Sequence, residues 1–129
     1  MMGLRQKSED RVLGAALART EDIVAITGSW GASRRDAVRR LVSDSLSRRL
    51  LEIEGGSKTL AQVTAEIQAR VDDRDASPMA YTSAALADEL LLNFLLAMKF
   101  AQKPRLRSTC ETIFQKIHRF ASQGPRGVW

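Results

Sequence analysis

Arg11-Val12-Leu13-Gly14-Ala15-Ala16-Leu17 is the stretch on which the fold turns. Two readings compete for it. In a helix from Arg11 to Thr27, the positions Leu13, Ala16, Leu17, Thr20, Val24 and Thr27 recur at spacings of three and four. As a short strand over 11–17, it would be followed by a helix capped by Thr20, with Glu21 and Asp22 in its first turn. Ala and Gly are poor strand formers, so propensity opposes the strand. Just upstream, Ser8-Glu9-Asp10 offers a cap and acids suited to a first helical turn.

The rest of the chain reads as helix. Gly28-Ser29-Trp30-Gly31 is a break. Arg34 to Glu54 forms a second helix, with Val38, Val42, Leu46, Leu50 and Ile53 along one side and Ala37 and Leu41 on another. Gly55-Gly56 stops it and Ser57 can cap the next. Lys58 to Val71 carries a seam of Leu60, Val63, Ile67 and Val71. Asp72 to Pro78 reads as a loop by charge and by Pro. Thr82 or Ser83 caps a fourth helix reaching about Gln102. Leu90 to Leu96 of that helix is apolar nearly all round, the pattern of a central buried helix. Pro104 breaks it, and Leu106 to Ser122 forms a fifth helix. One face of that helix holds Leu106, Cys110, Ile113, Phe114, Ile117, Phe120 and Ala121. The expected class is mainly α with about five helices. It divides into an N-terminal region over 1–54, a helical oligomerisation or interaction region over 57–122, and a 123–129 tail.

Composition agrees. Apolar residues make up 44% of 129, enough for a core, and aromatics only 5%, so that core is aliphatic. Net charge is +5, which permits a nucleic-acid partner without demanding one. The charge is blocked. Residues 34–49 hold six Arg against Asp36 and Asp44, a net +4. Residues 50–98 hold three basic and eight acidic groups, a net −5; residues 99–119 hold six basic groups against Glu111, a net +5. Leu90–Phe100 is too short to cross a membrane, which takes about 20 apolar residues. No secretory segment opens the chain, so a cytoplasmic location is expected.

Signals for catalysis are weak. His118 falls on the polar side of the last helix and reads as a surface histidine. Cys110 is on the apolar seam and reads as a buried structural thiol. Asp72, Asp73 and Asp75 lack the spaced ligands and closing Glu of a calcium loop. Gly55-Gly56-Ser57-Lys58 lacks the order of a phosphate loop. No enzyme, metal site or cofactor is expected.

Two features point to partners. The apolar fourth helix suggests an oligomer interface, with Leu91 and Leu95 buried and Asn93 either facing a symmetry mate or reaching solvent at the helix edge. On the second helix, Ser33 reads as an N-cap in front of Arg34, Arg35, Arg39 and Arg40, a start suited to holding a phosphate. The competing reading is a solvated face, with Asp36 paired to Arg40 and Asp44 to Arg48.

Gly31-Ala32-Ser33-Arg34-Arg35-Asp36-Ala37-Val38-Arg39-Arg40-Leu41-Val42 resembles the turn and second helix of bacterial ribbon-helix-helix DNA-binding proteins. Ile23, Ile26 and Thr27 fall where that family buries its first helix, so the likeness covers residues 20–42. The resemblance implies an intertwined dimer whose paired strands enter the DNA major groove. It implies that Ser33 and Arg34 clamp a phosphate and that Ala37, Val38, Leu41 and Val42 pack between copies. The ribbon would fall near 11–17, where only Arg11 could read a base edge. The helices after Gly56 resemble the added oligomerisation region of plasmid-transfer accessory proteins of this fold, and the family also includes repressors and antitoxins.

The expected function is therefore DNA binding in regulation or plasmid processing, by a homo-oligomer contacting duplex DNA through Arg11, Ser33, Arg34, Arg35, Arg39 and Arg40. Its expected interface comprises Val38, Leu41, Val42, Leu91, Asn93 and Leu95. The alternative is a helical protein-interaction module, a chaperone or adaptor that meets a co-encoded protein and ignores nucleic acid.

Overall fold

The computed structural model describes residues 2–74 and 81–123. Five helices follow in order: α1 (Met2–Gly28), α2 (Ala32–Glu54), α3 (Leu60–Arg74), α4 (Ser83–Phe100) and α5 (Arg107–Ser122), with a 3-10 turn at Pro104–Leu106 before the last. There is no strand among the described residues. No helix among them is long and apolar enough to cross a membrane.

The expected strand over 11–17 is helix. The reason lies in the burial pattern. Leu13, Ala16, Thr20, Ile23 and Thr27 are the buried positions of α1, and their spacing of three and four continues unbroken through the stretch in question. A strand would alternate sides and take Leu13 and Ala16 off that shared face. Val24, expected on the buried side, is 37% exposed, and Ile23 takes its place. Thr20 and Thr27 are tolerated in the buried stripe because each hydroxyl donates to the carbonyl one turn back, Thr20 to Ala16 at 2.8 Å and Thr27 to Ile23 at 2.9 Å. Ser8, Glu9 and Asp10 lie inside α1 and do not cap it. Glu9 instead meets Lys103 and Arg105, and Asp10 meets Arg105.

Helix α4 is the centre. It packs against α1, α2, α3 and α5, and α5 also packs against α1 and α2. Leu86, Leu90, Leu91 and Leu95 are fully buried along it. Burying one such side chain stabilises by about 1.5–3 kcal/mol, which explains why the most apolar segment takes the central position. One cluster joins Leu13, Ile23, Val38, Val42, Leu90, Ile113 and Ile117. A second joins Val63 and Ile67 of α3 to Leu91, Leu92 and Leu95, with Leu46 and Ile53 against it. Both sides of α4 are thus used, and residues 1–54 share their core with the helices that follow.

Local signals set most boundaries. Gly56 sits at φ +78°, the left-handed region a helix stop needs. Thr59, not Ser57, caps α3. Its Oγ1 accepts from the Gln62 amide at 3.1 Å, and Gln62 Oε1 accepts from the Thr59 amide at 2.8 Å, a reciprocal capping box. Thr82 caps α4 by accepting from the Ala85 amide at 3.1 Å. The loop expected over 72–78 is helix as far as Arg74, where α3 ends; residues 75–78 lie outside the described residues. Leu106 of the 3-10 turn and Cys110, Ile113, Ile117 and Phe120 of α5 are buried as the periodicity requires, and Phe114 meets Phe94 with ring centroids 4.8 Å apart.

Candidate functional site

The start of α2 differs from its expected form. Gly31, with φ −62° and ψ 152°, occupies the N-cap position, and no side chain caps the helix there. Ser33 lies inside the first turn and is exposed. Its backbone is already helical, so its hydroxyl does not fill the role of a cap.

The arginines split into two sets. Arg34 lays its guanidinium over the Trp30 ring, 3.6 Å from the centroid, and donates from Nη2 to the Tyr81 carbonyl at 2.8 Å. Arg35 is half-buried, and its Nε has no hydrogen-bond partner among the described residues. Arg39 donates to Asp36 Oδ1 at 2.8 Å and to Gln123 Oε1 at 3.1 Å, and lies over Phe120. Asp36 thus serves Arg39, not Arg40. Arg49 is 9% exposed and bonds Glu52 at 3.1 Å and Glu66 at 3.0 Å. Lys58 completes that cluster, reaching Glu66 at 2.8 Å and Glu52 at 3.3 Å. The bond from Lys58 is the main reason the Glu66 carboxyl is held below its ordinary range.

Arg40 and Arg48 form the second set. Both are exposed and neither has an ion-pair partner among the described residues. Asp44 stands one turn before Arg48, and the two do not pair. Arg11 is exposed on α1, on a different helix from the α2 set.

The residues expected to join copies fall mostly inside one chain. Val38, Val42 and Leu95 are fully buried, Leu91 is 1% exposed and Asn93 5%. Asn93 does not reach solvent at the helix edge. Its Nδ2 donates to Thr20 Oγ1 of the same chain at 3.0 Å. The physical reason is that α1, α2, α3 and α5 together enclose α4. Leu41 is the exception at 40% exposed.

Leu51, one of the leucines absent from the expected interface, is 68% exposed. Together, Arg40, Leu41, Asp44, Ser47, Arg48 and Leu51 make one continuous outer face of α2. A signal for it was present in the sequence. Leu41, Asp44, Arg48 and Leu51 recur at three, four and three, out of phase with the buried Val38 and Val42. His118 is exposed on α5 and Cys110 is buried. Among the described residues, no group of three His, Cys, Asp or Glu side chains could hold a metal ion.

No family model matches the chain, no curated protein matches it, and no solved structure matches its fold.

Proposed function

We propose that this chain is a helical protein-interaction module whose docking face is the outer face of α2. One observation carries the reading: Leu41 and Leu51 face solvent on the same helix whose Arg34, Arg39 and Arg49 are engaged within the chain. An exposed apolar pair rimmed by Arg40, Asp44 and Arg48 has the make-up of a contact patch, with an apolar centre and polar rim. A nucleic-acid surface, by contrast, draws its affinity from cations free to neutralise phosphates.

The test is a photo-crosslinking residue placed at position 51, with the exposed Glu111 position on α5 as control. Discrete protein adducts from position 51 are expected, none from position 111, and Leu41→Glu should abolish those at 51. Absence of any adduct at 51 overturns the reading.

A second reading, duplex-DNA binding in regulation or plasmid processing, draws on the exposure of Ser33, Arg34 and Arg40 along one side of the α2 start. It is favoured instead if a duplex is retarded at low salt and Arg40→Ala abolishes the retardation. That reading lacks the ribbon the resemblance requires, since 11–17 is helix.

A further inference from the structure

The outer face of α2 is self-complementary. Leu41, Asp44, Arg48 and Leu51 follow the alternating three and four spacing of a coiled-coil seam. Read backwards, the order Leu, Asp, Arg, Leu becomes Leu, Arg, Asp, Leu. A two-fold axis near residue 46 therefore sets every position against a suitable one. From the exposure of these side chains, the lack of partners for Asp44 and Arg48 among the described residues, and this palindrome, we infer that the occupant of the face is a second copy of the chain, docked with its α2 antiparallel. The inference rests on the preceding reading of this face and names its partner.

In that arrangement Leu41 packs against the partner's Leu51, and Asp44 meets the partner's Arg48. The symmetry repeats both contacts, giving four layers. The flank follows the same logic. Arg40, Ser47 and Glu54 lie seven residues apart along one edge of the seam, all three exposed, and Arg40 and Glu54 have no ion-pair partner among the described residues. Antiparallel docking brings Arg40 beside the partner's Glu54 and Ser47 beside the partner's Ser47. Parallel docking would set Asp44 against the partner's Asp44 and Arg48 against the partner's Arg48. Like charges at seam positions oppose association, so the charge order selects the antiparallel pair. An isologous contact of this kind closes at two subunits and does not propagate. Four layers fall short of the roughly 1,200–2,000 Å² buried by stable complexes, so the dimer should dissociate on dilution.

Charge reversal tests it. By sedimentation velocity of the purified chain over a range of concentrations, the wild type should pass from monomer to dimer. Asp44→Arg and Arg48→Asp should each weaken association by about tenfold or more, because each sets like charges together twice. Mixing these two variants should restore a dimer, since both charged seam contacts are then Arg against Asp. The double variant D44R/R48D should also dimerise alone. Leu51→Glu should abolish association.

A wild type that stays monomeric throughout overturns the inference, as does a dimer indifferent to Leu51→Glu or a mixture that fails to recover. If the chain is monomeric yet position 51 crosslinks to a different protein, the second copy is excluded while the docking face stands. If position 51 yields no adduct of either kind, the docking reading itself fails.

Discussion

Asn93 Nδ2 on α4 donates to Thr20 Oγ1 on α1 at 3.0 Å, and both side chains are buried. Thr20 in turn donates to the Ala16 carbonyl, so a short polar chain links α1 to α4 inside the core and fixes how one sits on the other.

That chain is measurable. Thr20→Val leaves the buried Asn93 amide without its acceptor and should lower stability by about 1–3 kcal/mol. Adding Asn93→Leu should recover part of the loss, because both polar partners are then gone. Urea denaturation of the two single variants and the double should give a coupling of roughly 0.5–3 kcal/mol. Simple additivity would show that the bond does not act as a unit.

Two glycines should respond in opposite directions. Gly14 lies within α1 with open space where a Cβ would stand. Gly14→Ala should stabilise the chain by about 0.5–1 kcal/mol through the unfolded state. Gly56 has equal room, but its φ of +78° disfavours any L side chain. Gly56→Ala should cost about 1–2 kcal/mol. Thermal melts of both variants should move apart from the wild type, one up and one down.

Acid should loosen the α2–α3 junction. Glu66 is held below its ordinary value of 4.5 first by the bond from Lys58. At Glu52, burial pushes upward, but the bonds from Lys58 and Arg49 prevail and the net shift is also downward. A carboxyl depressed in the folded state contributes stability that is present above 4.5 and is lost as pH falls through its folded value. Lys58 has the opposite sense. It is raised above 10.5, chiefly by Glu66, so its contribution holds below that value and fades as pH climbs through its folded value. Glu66→Gln should flatten the acid limb of a stability-against-pH curve; an unchanged limb would count against the cluster.

Cys110 should be inert in the native chain. Burial pushes its thiol above the ordinary value of 9.0, with a smaller upward push from Glu111, and the side chain is fully enclosed. A thiol reagent at mildly alkaline pH should label it only as fast as the chain opens, and denaturant should release one full equivalent. Rapid labelling without denaturant would show an open path to α5.

The sequence by itself determined the elements whose signals are local. The Leu90–Leu96 segment, apolar but for Asn93, announced a central helix, the stripe from Cys110 to Phe120 announced the buried face of α5, and Gly55-Gly56 announced the end of α2. The capping box of Thr59 and Gln62 needs only residues three apart, yet the expected cap lay two residues early, at Ser57. Tertiary structure alone decided the fate of Asn93 and the distant partners of the arginines. Arg34 finds its carbonyl 47 residues away at Tyr81, and Arg39 an amide oxygen 84 residues away at Gln123. Hydrogen bonds within a turn are fixed by spacing along the chain, whereas a long cation's partner depends on which helices come to lie beside it. Packing around α4 engaged the arginines that spacing alone left free, and left Leu41 and Leu51 facing water.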